Sequence, residues 1–394
     1  MKRQSWSVTA SGSFRDRGLI SKSRFNATAV AVVAARFVSL ALACLACQAQ
    51  LAAAGEPLVR IGSIPLKGAE GRLDHLTCDA QSRRLFIAAL ENHSVEVVDL
   101  AKRRRVHRIT GISEPQGLLY VPGKDRLLVC SRGDGTCRSF DAATFREGPW
   151  VDLGRNADNA RFDPAAQLIY VGSGGEPGNG LLSAIDLVSL LPAAQGGQPA
   201  PPHSPADFLL DRPRQADPRI EIQLPAHPES FQLDPRNGRL LVNVPDEHEI
   251  AVLRIGTNGF TQIAAWPVTA GEKNFPMALD PGSDRLFIAC RKPPLLAVYD
   301  SRAGALLSQT PCAGDADDLF YDAALKRVYV IGGEGFVDVF QIPDPPREPT
   351  RLARMPTAPR ARTGLFIPEL RLLAVAAPHT MPRPAAVLLF QARP

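Results

Sequence analysis

An all-β ring of seven four-stranded units is what the 394-residue sequence predicts, on three features. First, a strongly β-forming hexamer recurs: RLFIAA from Arg84, RLLVCS from Arg126, QLIYVG from Gln167, RLLVNV from Arg239, RLFIAC from Arg285, RVYVIG from Arg327 and RLLAVA from Arg371. Second, the first apolar residues of these hexamers are 42, 41, 72, 46, 42 and 44 residues apart, a period near 42 with one exception. Third, apolar residues alternate with period two and no helical stripe interrupts them. Such a period, with four short strands per repeat, belongs to the blade of a β-propeller. One blade cannot bury both faces alone, so the core arises only when blades stack around an axis.

Each repeat reads in the same order. A short apolar strand and a turn precede the hexamer. A third strand follows, usually closing on an acid, as at Asp99, Asp141, Asp186 and Asp300, and then a fourth, as at 106–109. The 72-residue spacing is one repeat plus about thirty residues, 189–217, rich in proline and carrying Gly196-Gly197. That composition marks a loop, placed between the third and fourth strands of blade three. By chain direction it projects from the face away from the funnel. Deleting it is expected to leave folding largely intact, because a long surface insertion costs little closure entropy. Blade seven runs out after its third strand, 385–390, while a spare strand lies at 58–61. The spare strand is expected to complete blade seven from outside, which removes the edges an open ring would expose.

Residues 1–54 read as an export leader. A basic stretch runs to Arg36, an apolar run follows at 37–47, and Ala52-Ala53-Ala54 offers a small-residue cleavage site. The apolar run is too short to span a bilayer, and no later segment reads as transmembrane. The expectation is a mature propeller of residues 55–394, periplasmic or secreted, and monomeric. The formal charge of +5 comes from the leader, which holds seven basic residues and one acid. The rest carries 38 basic and 39 acidic residues, so bulk charge favours neither nucleic acid nor anionic membrane. The one notable basic run, Lys102 to Arg105, leads an outer strand and reads as edge protection.

Five cysteines follow the leader, and none are spaced as metal-ligand pairs. A two-residue turn at Gly133-Asp134 would set Cys130 opposite Cys137 on a hairpin. An oxidising compartment permits a disulfide there, but cross-strand geometry is often poor for one, and two unpaired thiols are the favoured reading.

The repeats resemble the YVTN-type, YncE-like group of exported bacterial propellers. The phrases that carry the likeness are GRLDHLTCD at 71–79, EPQGLLYVP at 114–122, DADDLFYDAALKRVYV at 315–330 and RTGLFIPEL at 362–370. It covers roughly 57–394. The tetrapeptide itself is absent, with YVGSG at 170–174 and YVIGG at 329–333 in its place. The resemblance implies the fold and export, not an activity.

Function must then be sought where the ring brings distant residues together. Aligned by their hexamers, the repeats place Asp74, Gln116, Asp158, Glu229, Phe275, Asp317 and Thr363 at the entry to the inner strands. The next column inward is His75, Gly117, Asn159, Ser230, Pro276, Asp318 and Gly364. Asp74, Asp158, Glu229, Asp317 and Asp318 are the candidate metal ligands. His75, Gln116, Asn159 and Arg362 are candidate ligand-binding residues, Arg362 being the one basic side chain the alignment sets beside the acids. Converging oxygens suit Ca²⁺, Mg²⁺ or Mn²⁺, and His75 admits Zn²⁺. The competing reading is structural: acids entering inner strands accept hydrogen bonds from neighbouring blades. Phe275 and Pro276 interrupt the column, which points to an asymmetric site.

Two functions are expected from this. One is a scaffold that binds a small molecule or a protein. The other is a metal-dependent, lactonase-like hydrolase, in which a carboxylate-held ion polarises a carbonyl and His75 or Asp318 moves a proton. No complete catalytic set can be named, which favours the scaffold.

Overall fold

The computed structural model describes residues 55–175, 178–191, 219–256, 259–344 and 347–394. The leader, 1–54, and nearly all of the 189–217 insertion lie outside the described residues. The remainder forms seven four-stranded antiparallel sheets. Blade one runs from Leu76–Asp79 to Arg104–Thr110, and blade two from Pro115–Val121 to Glu147–Asp152. Blade three runs from Ala160–Asp163 to Arg219–Leu224, and blade four from Phe231–Asp234 to Gly259–Pro267. Blade five runs from Glu272–Asp280 to Leu306–Pro311, and blade six from Ala316–Asp322 to Thr350–Pro356. Blade seven holds Thr363–Ile367, Leu372–Ala377 and Ala386–Ala392, and its outer strand is Leu58–Pro65 from the other end of the chain. That strand is longer than the sequence indicated. It pairs antiparallel from Leu58 opposite Ala392 to Pro65 opposite Ala386, with one bulge between Arg60 and Gly62.

The insertion falls where expected, since the third strand of blade three ends at Asp186 and the fourth begins at Arg219. A single 3-10 turn, Leu187–Leu190, follows Asp186, whose side chain accepts a hydrogen bond from the Val188 amide. We expect deletion of 192–217 to change stability by less than about 1 kcal/mol, measured by urea denaturation. A larger loss would mean that the loop packs on the ring.

The recurring residues of the repeat have distinct physical tasks. The acid that closes a strand holds the following turn, accepting backbone N–H groups as such side chains do in tight turns. Asp99 accepts from Lys102 at 2.8 Å, Asp141 from Thr144 at 2.7 Å and Asp300 from Arg302 at 2.7 Å. The arginine that opens the second strand ties its blade to the next. Arg84 donates to the Ala142 carbonyl, Arg239 to Ser301, Arg285 to Pro343 at 2.6 Å and Arg327 to Arg393. In each case the acceptor lies just past the third strand of the following blade. Arg285→Ala should therefore cost about 1–3 kcal/mol, as a shift of the denaturation midpoint. No shift would show the contact to be incidental.

The core is divided among the blade interfaces. Among the described residues, buried apolar clusters lie between each pair of neighbouring blades. One packs Ile64, Leu66, Leu76, Leu85, Ile367 and Leu372 where blade seven meets blade one. Close approach of the inner strands requires Gly117: a Cβ there would lie 1.9 Å from the Asp158 carbonyl oxygen. Backbone cannot step aside as a flexible side chain can. Gly117→Ala should cost about 1–3 kcal/mol or more and displace Asp158.

Two expectations are corrected. Cys130 and Cys137 are directly opposite in register, as the turn implied, but they form a disulfide, with Cα atoms 4.1 Å apart. The basic run of blade one is not simply solvated edge. Arg105 pairs at 2.7 Å with Glu96, a fully buried acid of the third strand, and Arg103 donates to the Ile61 carbonyl of the closing strand.

Candidate functional site at the channel mouth

The inner strands of all seven blades surround a central channel of about 360 Å³, lined near one end by His75, Gly117, Asn159, Ser230, Asp318 and Gly364. The second aligned column thus faces the channel, except in blade five. There Phe275 and Pro276 fall in a bulge between Asn274 and Met277, and their carbonyls accept from Asn243 Nδ2 at 3.2 and 3.4 Å. The first column lies one residue nearer the mouth. Asp74 and Asp158 are 0% and 1% exposed, so these charges are taken almost wholly out of water.

All nine candidate residues fall into one network. Asp158 is its hub. Its Oδ2 accepts from Gln116 Nε2 at 2.7 Å, and its Oδ1 lies 3.5 Å from His75 Nε2. His75 also lies 3.9 Å from Asp74 and, through Nδ1, 3.5 Å from Asp318, whose other oxygen accepts from the Gly364 amide at 2.8 Å. Asn159 Nδ2 is 3.3 Å from His75 Nε2. Glu229, in blade four's entry, approaches Asp158 from the neighbouring side.

Residues that the column alignment did not include complete the site. His227 Nε2 faces Asp158 Oδ2 at 3.8 Å. Arg72 pairs with Asp74 at 2.8 Å and reaches Asp317 at 3.7 Å. Arg291 pairs with Asp317 at 2.5 Å, and its guanidinium sits 3.9 Å above the centre of the Phe275 ring, a cation–π contact. Arg362 grips Asp315 at 3.0 Å and Asp317 at 3.4 Å. Arg362 is therefore one of three arginines, and the mouth has two unlike halves. In one, Arg72, Arg291 and Arg362 neutralise Asp74, Asp315 and Asp317. In the other, two histidines and Gln116 surround Asp158, with Glu229 beside it. Phe275, which breaks the acidic column, is the platform for one of those arginines.

The electrostatics follow this division. Burial pushes Glu229 up to about 8, assisted by the Asp158 charge. Burial pushes Asp74 up to about 7 against the pull of His75 and Arg72. Asp158 goes the other way. Burial would raise it, but the His227 and His75 imidazoles that face it outweigh burial and hold it well below the usual carboxylate range. Burial likewise opposes charge on both imidazoles, yet Asp318 and Asp158 hold His75 well above its ordinary value, and Asp158 raises His227. Deeper in the channel, burial lowers Arg161, whose guanidinium donates to the Ala160 carbonyl at 2.9 Å.

Comparison with known proteins defines the class. No family model matches the chain, and no curated protein matches its sequence. Solved structures do match in shape. A chain of Kuenenia stuttgartiensis hydrazine synthase superimposes with a TM-score of 0.61 at 14% identity, over 80% of this chain and 96% of that one. A chain of the mitotic checkpoint complex gives 0.63 at 10% identity, over 85% and 92%. At such identities the likeness shows the fold alone. This chain is a seven-bladed β-propeller. No helix among its described residues is long and apolar enough to cross a membrane.

Proposed function

We propose that this chain is an exported propeller of the YVTN-type, YncE-like kind, and that it binds a small molecule or a protein at the channel mouth. The observation that carries the binding reading is the half of the mouth around Asp158. There Glu229 sits beside a second carboxylate and, among the described residues, makes no ion pair with an arginine, while the next residue of each, Ser230 and Asn159, lines the channel. A purely structural belt would pair its acids as the other half does with Arg72, Arg291 and Arg362. Export is supported by the leader pattern and by the Cys130–Cys137 disulfide, which suits an oxidising compartment. Fusing 1–54 to a reporter active only outside the cytoplasm tests export; an inactive, uncleaved fusion would refute it. Thermal shifts across a panel of small cations and metabolites test binding, and a wild-type protein that nothing stabilises would refute that part.

A second reading, a metal-dependent lactonase-like hydrolase, is favoured by one observation: Asp158 and Glu229 offer oxygens within reach of a common ion. Bound there, a divalent cation would polarise a carbonyl. His75, between Asp158 and Asp318, is placed to hold or move a proton. Lactone hydrolysis lost with EDTA and with Glu229→Gln would support this reading. Turnover indifferent to both would exclude it.

A further inference from the structure

We propose that His227, Asp158 and Glu229 form a binding site for one divalent transition-metal ion of the Zn²⁺ class. The inference sharpens the cation of the second reading but does not depend on hydrolysis.

Three observations support it. One donor atom from each residue lies within 4.8 Å of the others, so a small contraction would bring all three onto a single ion. His227 and Glu229 come from one short segment, stiffened by Pro228 between them, and meet Asp158 from the adjacent blade. The site therefore exists only where blades three and four pack against each other.

The imidazole of His227 is also turned toward the carboxylate it would share an ion with. Its Nε2 is turned to Asp158 at 3.8 Å, and behind it Asn156 Nδ2, which donates to the Gly174 carbonyl at 2.9 Å, lies 3.4 Å from Nδ1. His75 mirrors this across the carboxylate, with Asp318 behind Nδ1 and Nε2 facing Asp158. Two ring nitrogens therefore point at one carboxylate from opposite sides. Either protons or a metal ion must fill the space between them.

Asp158 itself is the third observation. It is 1% exposed, Gln116 fixes its Oδ2, and its Oδ1 takes no hydrogen bond in good geometry, the nearest donor being His75 Nε2 at 3.5 Å. The donor set, one imidazole and two carboxylates, suits Zn²⁺, Co²⁺ or Mn²⁺ better than Ca²⁺, which prefers six to eight oxygens. Three protein ligands leave the fourth tetrahedral position for water or a bound group. Asp74 and Asp317 are excluded because arginines hold them.

The test is titration of the EDTA-stripped, dialysed protein with Co²⁺, followed by competition. One Co²⁺ per chain is expected, with the visible absorption of a low-coordinate site, displaced by Zn²⁺ and not by Ca²⁺. His227→Ala and Glu229→Gln should each weaken binding by more than the ~10–100-fold that loss of an outer partner costs. Independently of any variant, Zn²⁺ should shift the ring resonances of His227 in the wild-type NMR spectrum. Absence of stoichiometric binding, displacement by Ca²⁺, or unmoved His227 resonances would overturn the proposal in favour of histidines held by protons alone. That outcome would remove the ion from the hydrolase reading. The scaffold reading would stand, since it falls only if no ligand stabilises the protein.

Discussion

A chain that begins at residue 66 should fail to fold. The segment removed is the outer strand of blade seven, and it joins the two ends of the sequence. Leu58 and Ile64 are fully buried, each contributing about 1.5–3 kcal/mol. Leu58 packs toward blade six and Ile64 toward blade one, so both interfaces of blade seven lose a member. Deletion would also bare the Ala386–Ala392 strand, an apolar edge open to pairing with other chains. Against a net domain stability of about 5–15 kcal/mol, these losses together should be decisive. The expected result is aggregation or the absence of a cooperative unfolding transition. A circular permutant that links residue 394 to residue 57 and opens between two other blades should fold. A soluble, cooperatively unfolding truncation would refute the closure.

The second large effect is on pH dependence. Glu229 and Asp74 titrate higher in the folded protein than in the unfolded chain. Between about pH 4.5 and 8 the native state therefore holds protons that the unfolded state has released, and stability falls as pH rises. His75, raised by its acidic neighbours, acts in the same direction: its contribution is full below the unfolded value of 6.5 and is lost at higher pH. Asp158 is depressed, so its contribution is present above 3.8 and disappears only in stronger acid, outside this window. The ligand-free protein should thus be less stable at pH 8 than at pH 5. Glu229→Gln should flatten that decline and gain on the order of 1–3 kcal/mol at pH 8, by chemical denaturation at each pH. A variant less stable than wild type at pH 8 would show that the Glu229 charge is structurally required.

What the sequence disclosed, and what it hid, divides along the same physical lines. The hexamers are legible because the second strand of each blade is buried on both faces, as in RLFIAA and RVYVIG. Closure was legible because blade seven lacks a strand that 58–61 could supply. The entry columns were legible because one residue per blade occupies the same place on the ring. His227, Arg72 and Asp315 were missed for a simple reason: each lies two residues before its blade's entry position, outside the aligned strand. Reading that further column would have found them. Arg291 gave no such signal. It reaches the mouth because the second strand of blade five runs on to Lys292, longer than the six residues of its counterparts in blades one and two. The disulfide shows the same limit. Strand register set Cys130 opposite Cys137, but register alone does not decide whether two thiols are joined.

The mouth as a ligand site, rather than a structural belt, is the central claim, and Glu229 tests it most directly. The measurement is thermal unfolding at pH 8 of wild type and Glu229→Gln, each with and without Zn²⁺. A ligand at a hundred times its dissociation constant stabilises the folded state by about 2.7 kcal/mol. Wild type should gain a stabilisation of that order. The variant should start higher without metal and gain nothing from it, the mark of a residue that serves binding at the expense of stability. The contradicting result is equally definite: Glu229→Gln melts below wild type, and Zn²⁺ moves neither.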